Sequence, residues 1–142
     1  MSFAVPAALG ASFADPSLRP IVLVGDGAFQ MTGTELASCV RYGQAPIVVV
    51  LNNRGYSTER EIMEGPFNDL HEWQYEKLFE VIGAGAGSRV STQREFEERL
   101  ATAFADRSRP HLLNVLLSPS DRSPGMVRLA RRLGKKLSTD KP

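Results

Sequence analysis

The chain has 142 residues, 42% hydrophobic and 23% charged, which is the size and balance of one globular domain able to bury a core. Its 17 Lys and Arg nearly cancel 16 Asp and Glu, so a formal charge of +1 gives no global attraction to nucleic acid or to an anionic membrane. One cysteine, Cys39, excludes an intrachain disulfide, and with only His71 and His111 beside it no soft-metal cluster can be assembled.

A helix is expected over Val5 to Ala14, where Pro6 suits a first turn and Leu9 and Phe13 recur at helical spacing. Ile21 to Val24 is a short unbroken β-branched run, read as a buried strand that ends in the sharp turn Gly25-Asp26-Gly27. A helix follows; Thr32 and Glu35 have capping-box spacing, and Leu36, Cys39 and Val40 form its apolar stripe up to Gly43, with Cys39 placed inside. Ile47 to Leu51 is a second buried strand running into Asn52-Asn53. From Asn53 to Gln74 the pattern is irregular, and a loop of that length implies a function.

Further on, Tyr75 to Ile82 reads as helix and Ala84 to Val90 as a Gly-rich weak strand. Thr92 and Glu95 cap a helix carrying Phe96, Leu100, Ala103 and Phe104, Leu112 to Leu117 is a strand, and Pro124 to Leu137 is a basic amphipathic helix. No apolar run is long enough to cross a bilayer and Met1-Ser2-Phe3 lacks the basic region of a signal peptide, so a soluble, cytoplasmic protein is expected. Strand, helix, strand is a βαβ unit with parallel strands, which makes the fold class α/β. The expectation is a Rossmann-like three-layer domain over residues 1–142, with a mostly parallel sheet flanked by helices and a basic helix and tail at 124–142.

Ligands of parallel α/β sheets collect at the carboxyl ends of the strands, and here two of those ends are Gly25-Asp26-Gly27 and Asn52-Asn53. Gly27 leaves amides near a helix start, where a phosphate is favoured. The Asp26 carboxylate, the Asn53 amide oxygen and a backbone carbonyl at Gly55 are hard oxygen donors suited to magnesium, which would also bind diphosphate oxygens.

The residues Gly25-Asp26-Gly27 with Asn52-Asn53 resemble the diphosphate and metal signature of thiamine-diphosphate enzymes. Four longer stretches, 4–11, 25–32, 52–59 and 65–69, narrow the likeness to the pyruvate and indolepyruvate decarboxylase branch, and the N-x-G-Y-x-x-E arrangement from Asn53 to Glu59 is its main discriminator. The resemblance implies that Asp26, Asn53 and the Gly55 carbonyl bind magnesium, and that Gly25 and the amides of Gly27, Ala28, Tyr56 and Ser57 hold the diphosphate. It implies Glu59 beside the thiazolium, active in decarboxylation and the proton transfer after it, and Ile62 as a wall of the substrate pocket. It also implies a small 2-oxo acid substrate, a homo-oligomer, and a pyrimidine-binding domain or subunit as partner. Without that partner and the strand that normally precedes Ser2, the chain is expected to be truncated at its N-terminal edge and inactive alone.

Plainer readings stand beside these. Gly25 to Gly27 taken alone could be an ordinary strand-to-helix turn, Glu59 a surface carboxylate paired with Arg60 or Arg54, Ile62 a core residue, and His71 and His111 surface or strand-end histidines. Gly83 to Ser88 lacks the last glycine of a dinucleotide motif. Another thiamine-diphosphate lyase or synthase subunit, or a non-catalytic cofactor- or partner-binding module, remains open as an alternative. The basic tail reads as a solvated helix face, so neither nucleic acid nor membrane is expected as a partner.

Overall fold

The structure, a computed structural model, describes residues 2–121 and 123–129. Its helices are α1 (Ala4–Ala14), α2 (Asp26–Thr32), α3 (Leu36–Arg41), α4 (Ser57–Arg60), α5 (Leu78–Ile82) and α6 (Gln93–Ala105). The strands are β1 (Ile21–Gly25), β2 (Ile47–Asn52), β3 (Ala86–Val90) and β4 (His111–Leu116). They form one sheet of order β1-β2-β4-β3, and every neighbouring pair is parallel. Ile21, Ile47, His111 and Ala86 lie in register, so the strands start along one edge and their carboxyl ends all face the other.

The β-branched runs form strands because both of their faces find apolar cover. On one face Val22, Val24, Val48, Val50 and Leu112 pack against Val5 and Ala8 of α1, Phe29 of α2, Leu36 and Cys39 of α3, and Tyr75 and Phe79. On the other, Ile47, Leu113 and Val90 meet Ala103, Phe96 and Leu100 of α6. Each fully buried Val, Leu, Ile or Phe among them contributes roughly 1.5–3 kcal/mol. On this second face α6 covers the β4 and β3 side, while Ile21, Leu23 and Leu51 of β1 and β2 are exposed.

Cys39 is buried as expected, and burial pushes its thiol up to about 11. The two proposed capping boxes have different fates. At α6 the Thr92 hydroxyl accepts from the Glu95 amide at 3.2 Å and the Glu95 carboxylate accepts from the Thr92 amide, also at 3.2 Å. At Thr32 there is no cap: its hydroxyl donates to the Ser2 carbonyl at 2.9 Å, and Glu35 accepts from the Ser38 hydroxyl. The first helix after β1 instead begins at Asp26, directly off the strand, and passes through a 3₁₀ turn at Gly33–Glu35 into α3. At the opposite edge, the Arg19 guanidinium donates to the carbonyls of Ala45 at 2.5 Å, Asp106 at 2.9 Å and Ala103, tying β1 to the end of α6. Of the expected basic tail helix, 124–129 is helical and the remainder lies outside the described residues.

Candidate cofactor and substrate site

The site grows from the carboxyl ends of β1 and β2, adjacent parallel strands. β1 delivers Asp26 as the first residue of α2, and β2 ends at Asn52. Arg54 then adopts a left-handed φ of 61°, which turns the chain so that Gly55 comes back toward Asp26. The Asp26 carboxylate accepts from the Gly27 amide at 2.9 Å and from the Gly55 amide at 3.2 Å, and it is only 1% exposed. Burial raises its pKa above the usual 3.8, against the pull of these backbone bonds. Among the described residues no cationic side chain pairs with it.

Beside it, the Asn53 side-chain nitrogen donates to the Ser57 hydroxyl, and this leaves the buried Asn53 Oδ1 without a partner. The Gly55 carbonyl accepts from the Ser57 amide at 3.1 Å, and a carbonyl oxygen has a second lone pair. A buried uncompensated carboxylate, an orphaned amide oxygen and a carbonyl are a donor set that fits a hard divalent cation. Among the described residues no three His, Cys, Asp or Glu side chains gather to hold a metal ion, so a cation held by Asp26, Asn53 and Gly55 would leave positions for ligand oxygens.

Two glycines let the walls close. A Cβ on Gly27 would overlap the Tyr56 ring and sit 3.0 Å from Leu70 Cδ1; one on Gly55 would overlap the Asn68 carbonyl and lie 2.7 Å from Arg60 Nη2. The result is a cavity of about 300 Å³ lined by Gly25, Asp26, Gly27 and Ala28 on one side and by Asn53 and Gly55 through Glu59 on the other. Every metal- and diphosphate-binding residue expected from the sequence is therefore brought to this one cleft. Ala28 is in the first turn of α2, where amides have no acceptor within the helix. The amides of Tyr56 and Ser57 are engaged inside the loop, donating to Asn68 O at 2.9 Å and to Gly55 O at 3.1 Å.

A second cavity, of about 370 Å³, is lined by Tyr56, Glu59, Ile62, Met63, Phe67 and Asn68. Tyr56 and Glu59 line both, so Glu59 stands where the polar cleft meets an apolar chamber. Arg60 does not neutralise it: the guanidinium pairs with Glu64 at 2.8 Å and with Asp69, and its side chain is 14% exposed. Among the described residues no hydrogen bond or ion pair reaches the Glu59 carboxylate, which is half-buried. Ile62 lines the chamber and is not part of the core clusters.

Sequence reasoning missed Met63 and Phe67 as chamber walls. The only available signal was large apolar residues inside a loop that is otherwise polar. It also missed a buried polar chain behind the site, in which Asn52 Nδ2 donates to Asn114 Oδ1 at 3.1 Å and Asn114 Nδ2 to Glu76 at 2.7 Å. His71 is exposed, whereas His111 opens β4 as a buried residue 3.2 Å from Asp106 Oδ2. Gly83 to Ser88 ends α5 and enters β3, without the helix that a dinucleotide motif needs after its glycines. Among the described residues no helix is long and apolar enough to cross a membrane.

The chain is similar to known proteins. Residues 1–115 match the family described as "Thiamine pyrophosphate enzyme, C-terminal TPP binding domain". The chain is 42% identical over 118 residues to an indole-3-pyruvate decarboxylase of Azospirillum brasilense, covering 82% of this chain and 22% of that protein. It is 36% identical over 135 residues to an alpha-keto-acid decarboxylase of Mycolicibacterium paratuberculosis, covering 92% of this chain and 24% of that one. A solved 4-hydroxybenzoylformate decarboxylase of Rhodococcus jostii, thiamine diphosphate-dependent, superimposes with a TM-score of 0.76 at 29% identity, over 87% of this chain and 24% of that structure. The chain thus spans about a quarter or less of these relatives. With a family match over residues 1–115 and a parallel sheet that gathers Asp26, Asn53 and Gly55 at one edge, this chain belongs to the C-terminal TPP-binding domains of thiamine pyrophosphate enzymes.

Proposed function

We propose that the chain is the diphosphate-binding part of a magnesium-dependent, thiamine-diphosphate-dependent 2-oxo acid decarboxylase. The observation that carries this reading is the pairing of a buried, uncompensated Asp26 carboxylate with the orphaned Asn53 Oδ1 at one cleft. Asp26, Asn53 and the Gly55 carbonyl would hold magnesium, whose charge offsets both the carboxylate and the diphosphate. The amides of Gly27 and Ala28 would receive the diphosphate, joined by those of Tyr56 and Ser57 as they exchange their loop acceptors.

Bound thiamine diphosphate supplies the electron sink for loss of carbon dioxide. The chain's own work is orientation and proton handling. Glu59, at the junction of cleft and chamber and without a cationic partner among the described residues, would pass a proton to the reacting carbon. Ile62, with Met63 and Phe67, keeps water from the substrate side chain. The names of the relatives support a 2-oxo acid as substrate. The exposed Ile21, Leu23 and Leu51 and the open edge of β1 support assembly with a pyrimidine-binding domain or subunit in an oligomer.

Titration calorimetry of the chain with thiamine diphosphate, run with and without magnesium, tests the reading. Binding that needs the cation supports it. Binding of equal strength without the cation, or none with it, refutes it.

A further inference from the structure

We infer that Arg60 is a positioning residue for the proposed cleft, its guanidinium bracing Gly55 against Asp26 by way of Glu64 and Asp69. The inference rests on that cleft and names what holds its loop in place. Arg60 ends α4, one residue past Glu59, and its side chain is only 14% exposed. Nη1 donates to Glu64 Oε1 at 2.8 Å and Nη2 donates to Asp69 Oδ1, so one planar fork joins three points of the loop. Both carboxylates are anchored in turn. Glu64 Oε1 also accepts from the Gly65 amide at 3.0 Å, and Asp69 forms an antiparallel bridge with Gly55.

The fork lies directly against Gly55. A Cβ there would stand 2.7 Å from Nη2 and 3.4 Å from Nε, so only bare backbone lets the guanidinium pass on its way to Asp69. From the same stretch the Gly55 amide donates to Asp26 Oδ2 at 3.2 Å and the Tyr56 amide to the Asn68 carbonyl at 2.9 Å. A single exposed ion pair holds little, and the Glu64 and Asp69 side chains are 59% and 65% exposed. The enclosed guanidinium changes the balance. Stripped of most of its water, it must keep its partners, which ties residues 60, 64 and 69 into one unit. A shift of that unit would draw Gly55 away from Asp26 and move the carbonyl that faces the cation.

The test uses the full chain, labelled with ¹⁵N. In Arg60→Met without cofactor, the Gly55 amide should exchange with solvent faster by about tenfold or more, while the Val49 amide inside β2 keeps its rate. Magnesium-dependent affinity for thiamine diphosphate, read by calorimetry, should fall by about tenfold or more in the same variant, the scale for groups that orient metal ligands. Arg60→Lys, which keeps the charge without the fork, should recover part of both losses. Glu64→Gln combined with Asp69→Asn should reproduce the loss, whereas either change alone leaves one partner and should cost only a few-fold. Exchange that rises equally at Gly55 and Val49 would mark a general loss of stability and overturn the inference. So would unchanged Gly55 exchange, wild-type affinity in Arg60→Met or in the double variant, or no recovery in Arg60→Lys. If the wild-type chain binds no cofactor, the cleft fails, and the exchange of Gly55 alone decides whether Arg60 is its brace.

Discussion

The amide of Gly55 donates to Oδ2 of Asp26 at 3.2 Å across 29 positions of sequence. That bond joins the end of β2 to the end of β1, and it requires Arg54 at a φ of 61° and bare backbone at Gly55. Site geometry and loop packing are thus the same set of contacts.

Gly55→Ala should therefore damage both together. Its methyl group would strike the Asn68 carbonyl and crowd the Arg60 guanidinium, which already holds Glu64 and Asp69. Overpacking of this kind costs roughly 1–3 kcal/mol. Urea unfolding should show that loss, and magnesium-dependent diphosphate binding should weaken in parallel. Wild-type values for both would mean that the loop can shift freely.

Glu59→Gln, placed in the complete enzyme, should leave cofactor affinity nearly intact and lower the decarboxylation rate by roughly 10²-fold or more, the usual scale for a positioned acid–base group. The amide keeps the shape of Glu59 between cleft and chamber and loses its proton. Unchanged turnover would return Glu59 to the role of a loop carboxylate.

Two buried groups give the stability of the cation-free chain opposite slopes with pH. Burial raises the Asp26 pKa above 3.8, so the fold favours the neutral acid, and that contribution is full below 3.8 and lost as pH rises through the folded value. Burial lowers the His111 pKa below 6.5, so the fold favours the neutral imidazole, and that contribution is full above 6.5 and lost as pH falls through the folded value. Magnesium with thiamine diphosphate should therefore raise the melting temperature more at pH 7 than near pH 3.5, where the fold favours the neutral acid, a poor ligand for the cation. An equal rise at both values would separate cation binding from Asp26.

The strands were legible in the sequence because burial on both faces writes an unbroken apolar run, as in Ile47 to Val50. Their order was not, since nothing local says that β4 inserts between β2 and β3. The two Thr-x-x-Glu patterns show the same limit. Thr92 has no distant competitor and caps α6, whereas the Thr32 hydroxyl is taken by the Ser2 carbonyl, a contact made only once the chain has folded.

For the site, Asp26 and Asn53 were legible because parallel strands must deliver their ends to one edge. The partners of Arg60 were not, and sequence alone left Glu59 as a candidate. An irregular loop has no period from which to read the pairings of Arg60 with Glu64 and Asp69, or of Asn68 with Met63.

The most direct test compares two carboxylates close together in space. Asp26 is 1% exposed and faces the cleft, while the Asp69 side chain is 65% exposed and pairs with Arg60. Magnesium-dependent thiamine diphosphate affinity, measured by calorimetry, should fall by about 3 kcal/mol or more in Asp26→Ala, because the orphaned charge of the cation and diphosphate is then left partly uncompensated. In Asp69→Ala it should change only a few-fold, and Asn53→Ala should fall between the two. Equal, small losses in Asp26→Ala and Asp69→Ala would refute the site.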